Sequence, residues 1–200
     1  MNLFIATRNP GKLDEIRAIL DLPGLDLVSC ADIPGLAEVV EDGETLEQNA
    51  VKKAVELARA SGLWALADDT GLEVDALDGA PGVISARYAG DPPDAGANMA
   101  LLLKELRGID DRRARFRTVI ALSSPCGDAR ALDGVCEGSI ATERSGNLGF
   151  GYDPIFRPAG YRETFAELSA DVKNRISHRA LALQHARSAW RDLLLTPTTE

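Results

Sequence analysis

Two adjacent carboxylates, Asp68 and Asp69, follow an apolar run in the segment Ala67-Asp68-Asp69-Thr70-Gly71-Leu72. Charge carried on a buried strand is costly unless it meets a cation or water. Carboxylate oxygens suit Mg²⁺, which binds through a few such ligands and keeps water for substrate phosphates. Glu41, within Glu41-Asp42-Gly43-Glu44-Thr45, offers a further carboxylate from a loop. A capping aspartate beside a solvated one is the purely structural alternative. Upstream, Thr7-Arg8-Asn9-Pro10-Gly11-Lys12 joins a strand to a helix. A helix N-terminus presents unpaired N–H donors and partial positive charge, so it attracts phosphate. Gly11 permits close backbone approach, and Lys12 adds a point charge. The spacing is not that of a GxxxxGK[ST] loop, and taken alone an ordinary capped helix start is the simpler account.

Further along, Gly146-Asn147-Leu148-Gly149-Phe150-Gly151-Tyr152-Asp153-Pro154 places glycines around two aromatics and an acid. Phe150 is suited to stacking on a base, an interaction worth about 1–3 kcal/mol, and Asp153 to accepting an N–H from a base edge. A plain turn with Phe and Tyr in the core is the alternative. Lys173-Asn174-Arg175-Ile176-Ser177-His178-Arg179 gathers donors at the start of the last helix, where an anion or a keto oxygen meets positive potential. A wet charged face with a structural histidine is the alternative here.

These groups need elements to hold them. Residues 2–7 read as a buried strand, and Asn9 caps the next helix with Pro10 at its first position. Leu13, Ile16, Ile19 and Leu20 follow at helical spacing. Thr45 with Gln48 is a capping-box signature for an Ala-rich helix that Gly62 ends. Residues 63–68 read as a short strand ending on the paired acids, with 72–77 extending or returning from it. Asp94 starts a helix carrying Met99, Leu102, Leu103 and Leu106. Residues 115–140 read as a long antiparallel hairpin with its turn at 125–128. Ser177 is expected to cap a final helix in which Leu183, Ala186, Trp190 and Leu193 share a face. The pattern implies a mixed α/β chain of two lobes with a cleft between them, a common place for a small-molecule site. Residues 1–195 are expected to form one such domain, and 196–200 a short frayed polar tail.

Composition sets outer bounds. The chain has 200 residues, enough for a substantial core, and a net charge of −9. That charge argues against sequence-independent nucleic-acid binding, which needs a basic surface, but leaves a single nucleotide within reach of a local Lys/Arg cluster and a metal ion. Cys30, Cys126 and Cys136 lack CxxC spacing, so neither a zinc site nor a disulfide framework is expected. The N-terminal apolar run is too short for a signal peptide, and no segment approaches about 20 apolar residues. A cytoplasmic protein without membrane attachment is expected.

Taken together, the segments ATRNPGKLDEI, EDGETLEQNAVKKA, ALADDTGLEVDALDGAPGVISARYAG, GNLGFGYDPIF and TFAELSADVKNRISHRALA resemble the Ham1-like inosine triphosphate pyrophosphatase family. They fall in the family's order from about residue 5 to residue 185. The resemblance implies an elongated mixed-sheet α/β fold of two lobes around a central cleft, and a homodimer. It implies hydrolysis of ITP, dITP or XTP to the monophosphate and pyrophosphate, with Mg²⁺ as cofactor. Thr7, Arg8, Asn9, Pro10, Gly11 and Lys12 would contact the triphosphate. Asp69 would be the general base beside the metal, with Glu41 as the other metal-linked carboxylate. Thr70, Phe150, Gly151, Tyr152, Asp153, Lys173, His178 and Arg179 would complete the nucleotide site. Thr70 stands where Ser is usual, Leu46 where Phe is common and Ala180 where Gly is common; none removes a proposed catalytic group.

Under that reading Lys12 and the helix N-terminus stabilise the departing pyrophosphate, and Asp68 orients the arrangement. Donors from His178 or Arg179 favour a C6 keto oxygen, and Asp153 the N1 proton, so adenine leaves buried groups unsatisfied. The rival readings are a Maf-type diphosphatase of modified pyrimidine nucleotides, a non-catalytic nucleotide sensor, and a structural or interaction protein.

Overall fold

The structure is a computed structural model and describes residues 1–195. The polar tail at 196–200 lies outside the described residues. The strands are β1 (Asn2–Ile5), β2 (Asp26–Ser29), β3 (Trp64–Val74), β4 (Pro81–Gly82), β5 (Arg113–Ser123), β6 (Ala129–Ile140) and β7 (Phe156–Pro158). The helices are α1 (Pro10–Ile19), α2 (Leu46–Ser61), α3 (Ala95–Glu105), α4 (Ala170–Ile176), α5 (His178–Ala189) and α6 (Arg191–Leu195). The strands form one mixed sheet in the order β2-β1-β3-β5-β6-β7, with β4 antiparallel on β3. β1 runs parallel to both β2 and β3, in register Leu3↔Trp64 and Ile5↔Leu66 on the β3 side. That register sets the segment leaving β1 beside the middle of β3, at the carboxyl end of the parallel pair, where open α/β sheets bind ligands.

The chain divides into two compact units, one of residues 1–69, 118–134 and those from 179 onward, the other of 70–117 and 135–178. The first is built on Leu3, Ile5, Ile16, Leu20, Leu66, Ile120, Leu122, Leu183 and Ala186, with Trp190 buried and Trp64 partly buried against them. The second is built on Leu72, Val74, Met99, Leu102, Phe116, Tyr152, Phe156 and Phe165. Local signals set the helix starts as expected. Asn9 accepts a hydrogen bond from the Lys12 backbone N–H at 3.1 Å, Thr45 from Gln48, and Asp94 from Ala97. Gly62 ends α2 in the left-handed region at φ 70°, where a side chain would be strained.

Two expectations need correction. The paired acids do not end a strand, because β3 continues through Thr70 and Gly71 to Val74; flanking strands supply ladder partners that override the local glycine signal. The last helix does start at His178, directly after an extended Ser177 as expected, but it breaks at Trp190, with α5 ending at Ala189 and Leu193 carried on α6; residues 170–176 form a separate α4 capped by Ser169.

Candidate functional site

Successive side chains on a strand point to opposite faces, and β3 uses this to separate its two acids. Asp68 Oδ2 accepts from Arg179 Nε at 3.1 Å and Nη2 at 3.0 Å, and pairs with Lys12 Nζ at 3.0 Å. Arg179 is itself 1% exposed, and its third nitrogen pairs with Glu15 of α1. Asp69 instead accepts from Asn49 Nδ2 of α2 at 3.1 Å. Asn49 Oδ1 in turn accepts the Gly43 N–H at 2.7 Å, in the loop that carries Glu41. Lys53, one turn after Asn49, donates to Glu41 Oε1 at 2.9 Å and to the Asp68 carbonyl at 2.8 Å. The first unit therefore gathers Lys12, Glu41, Lys53, Asp68, Asp69 and Arg179 around the carboxyl end of β1.

The two acids ionise very differently. Burial alone would raise both. For Asp68 the charges of Lys12, Arg179 and Lys53 outweigh it and hold the carboxyl far below the usual carboxylate range. For Asp69 burial prevails over Lys53 and Lys12, with Glu41 adding like-charge repulsion, and the carboxyl is pushed up to about 6. Asp68 is thus a fixed anion that anchors cations, whereas Asp69 sits poised to take or release a proton near neutrality. Burial, with the neighbouring Arg179 and Lys53 charges, pulls Lys12 below its ordinary value despite Asp68, so an arriving anion would strengthen its charged form. Lys53 rises against its own burial because Asp68, Glu41 and Asp69 all favour its charge.

The other segments from 7 to 12 position Lys12. Thr7 Oγ1 accepts from the Asn9 N–H at 3.2 Å, and Arg8 donates to the Leu36 carbonyl at 2.7 Å. Pro10 and Gly11 open α1. In the second unit Asp153 Oδ2 accepts the Phe150 N–H at 2.8 Å and Lys173 Nζ at 2.5 Å. The same ammonium lies 4.7 Å from the centre of the Phe150 ring. Gly149 and Gly151 both have positive φ, and a Cβ on Gly149 would run into the Asp153 carboxylate. Tyr152 is core, with its hydroxyl donating to the Ser85 carbonyl at 2.8 Å. His178 is buried and stacks on Phe116 at 4.5 Å. Thr70 is partly buried on β3.

Of the sequence-predicted residues, Lys12, Glu41, Asp69 and Arg179 therefore gather in the first unit, and Phe150, Asp153 and Lys173 in the second. Two placements differ from what their types suggested. Arg179, expected to read a keto oxygen, has Nε, Nη1 and Nη2 all engaged with Asp68 and Glu15. Asp153, expected to take an N1 proton, holds Lys173 and its own loop. Asn49, Lys53 and Glu15 join these clusters without matching any of the expected site residues. The signal for the first two was present, since polar residues four apart share the face of α2 that buries Leu46, Ala50, Ala54 and Leu57. Among the described residues no three or more His, Cys, Asp or Glu side chains form a ready metal cage.

The chain matches the model of the Ham1 family over residues 3–189. It is 52% identical over 188 residues to the dITP/XTP pyrophosphatase of Desulforamulus reducens, covering 93% of this chain and 94% of that protein. It is 48% identical to the dITP/XTP pyrophosphatase of Bacillus subtilis, covering 90% and 92%. The solved structure of the Staphylococcus aureus Ham1 protein superposes with a TM-score of 0.85 at 38% identity, covering 96% of this chain and 98% of that one.

Proposed function

This chain belongs to the Ham1 family, and from that premise we propose that it hydrolyses the non-standard purine nucleoside triphosphates ITP, dITP and XTP to the monophosphate and pyrophosphate. The observation that carries the reading is the contrast between neighbours on β3. Asp68 is locked as an anion among Lys12, Arg179 and Lys53, and Asp69 is raised to about 6 beside Glu41. The activity for which the relatives are named supports the substrate class.

Mg²⁺ is the proposed cofactor, held by Asp69 and Glu41. The donor set fits it in chemistry: two carboxylates near enough for Glu41 to raise Asp69, each also bonded to α2, through Asn49 and Lys53, and a hard cation of this kind needs only a few such ligands besides water. When bound, the ion neutralises phosphate oxygens and lowers the cost of charge build-up. Asp69 accepts the proton of the water that attacks the α-phosphorus. The new bond is from water oxygen to phosphorus, and the broken one joins that phosphorus to the bridging oxygen of pyrophosphate. Lys12, at the N-terminus of α1, stabilises the negative charge that leaves with pyrophosphate. Asp68 keeps Lys12 in place, and Arg179 with Glu15 keeps Asp68 in place. Thr7, Arg8, Asn9, Pro10 and Gly11 shape the triphosphate contact, and Thr70, Phe150, Gly151, Tyr152, Asp153, Lys173 and His178 are assigned to the nucleotide as a whole. We read the two units as one catalytic domain, active as a homodimer in the cytoplasm with no nucleic-acid or membrane partner. Among the described residues no helix is long and apolar enough to cross a membrane.

A phosphate-release screen coupled to inorganic pyrophosphatase, run over standard and deaminated nucleotides and a modified uridine triphosphate, tests this directly. Signal from ITP, dITP and XTP well above that from ATP is expected. Signal confined to the uridine nucleotide would favour a Maf-type activity, and none at all with Mg²⁺ present would remove the enzyme reading.

A further inference from the structure

We propose that Asn49 is a positioning residue for the carboxylate pair: its side-chain amide clamps the loop bearing Glu41 to the Asp69 carboxylate and so sets how the two present their oxygens to a divalent cation. This rests on the function proposed above. Asn49 is 2% exposed, and the other buried residues of α2 are Leu46, Ala50, Ala54, Leu57 and Ala58. A buried amide among such residues costs free energy unless both of its ends are satisfied. Here they are: Nδ2 donates to Asp69 Oδ2 at 3.1 Å, and Oδ1 accepts the Gly43 N–H at 2.7 Å. No hydrophobic residue of similar size makes both bonds.

The loop is shaped to meet that amide. A Cβ on Gly43 would stand 2.7 Å from Asn49 Oδ1 and 2.8 Å from Gln48 Cβ, so no side chain fits between loop and helix. Glu41 lies two residues before Gly43 and is held separately by Lys53 Nζ at 2.9 Å. α2 holds this loop through four side chains, Gln48 on the Glu44 N–H and Lys52 on Asp42 as well as Asn49 and Lys53, and of these Asn49 and Lys53, one helical turn apart, engage the carboxylate pair. The two grips differ in charge. Lys53 is a cation that competes with a metal for carboxylate oxygens. Asn49 is neutral, so it orients Asp69 while leaving the carboxylate's charge for the ion. Groups that orient metal ligands in this way typically carry about 10–100-fold in metal affinity.

The test uses the full-length protein and two readouts: Mn²⁺ binding without nucleotide, followed by electron paramagnetic resonance, and the Mg²⁺ concentration that half-saturates pyrophosphate release from ITP. Asn49→Ala is expected to weaken Mn²⁺ binding by about tenfold or more and to raise half-saturating Mg²⁺ in parallel. Turnover should recover most of the way at saturating Mg²⁺, a split that a general loss of structure does not produce. Gly43→Ala attacks the same clamp from the loop side and should do the same. The double variant should be no worse than the worse single one, because the two share one interaction. If Asn49→Ala does not fold, Gly43→Ala decides the matter by the same readouts. Variants matching the wild type within twofold, in a protein that does require Mg²⁺, would overturn the clamp alone. A wild type that binds no Mn²⁺ and releases pyrophosphate without any divalent cation would overturn the function reading, and the clamp with it.

Discussion

At the scale of single residues, burial holds the Asp69 carboxyl against its charged form. Its folded value of about 6 stands above the 3.8 expected when exposed, so the unfolded chain gives up this proton first as pH rises. Stability is therefore lost between roughly pH 4 and pH 6, by at most about 3 kcal/mol. Asp69→Asn removes that penalty. Metal-free Asp69→Asn should melt higher than wild type at pH 8, with the gap closing near pH 4, while ITP turnover falls by about 10²–10⁴-fold or more. Unchanged turnover would end the assignment of Asp69 as base. In the wild type, activity at limiting Mg²⁺ should rise with pH through about 6, and this limb should move to lower pH as Mg²⁺ is added, because cation and proton compete for one carboxylate. A pH–rate profile that ignores Mg²⁺ would contradict Asp69 as a ligand. The residue types at 41, 68 and 69 announced this chemistry, but the division of labour between Asp68 and Asp69 was legible only through the family resemblance and not from the residues themselves, because it depends on which face of β3 each occupies.

At the scale of elements, helix starts were legible because capping is local. Asn9, Thr45 and Asp94 each bond an N–H three residues on. Thr45→Ala should therefore cost about 1 kcal/mol in urea unfolding. β3 was less legible, since Gly71 and two acids read locally as an ending, and only the neighbouring strands carry the strand through them. The turn around Phe150 lies between these cases. Its glycines were visible, but the reason for Gly149 is a contact with Asp153 that the sequence does not display. Gly149 has φ 72° and faces the Asp153 carboxylate, so Gly149→Ala should cost about 1–3 kcal/mol. It should also raise KM for ITP while leaving half-saturating Mg²⁺ unchanged; a shift in the Mg²⁺ requirement instead would mean that the two clusters do not have the separate roles given to them.

At the scale of the whole molecule, sequence reasoning missed the ties between residues far apart in the chain. Arg179 and Asp68 are 111 residues apart and both 1% exposed, and nothing in either local sequence reports a partner that distant. Glu15 closes the same network from α1. Removing one member of a buried pair strands a charge, so Arg179→Ala should destabilise the protein by about 3–5 kcal/mol in urea unfolding at pH 7. A loss below about 1 kcal/mol would show the guanidinium to be dispensable for the fold, and would return it to a base-reading role. The family, by contrast, was legible throughout, because its motifs are spread along the sequence and the match spans residues 3–189.

The proposed function has water attack the α-phosphorus of a non-standard purine triphosphate, with Asp69 and Glu41 beside it. Hydrolysis of ITP in ¹⁸O-water with Mg²⁺, followed by mass spectrometry of both products, reads out the point of attack. The label should appear in inosine monophosphate, with unlabelled pyrophosphate. Label in pyrophosphate, or release of orthophosphate as the first product, would contradict it.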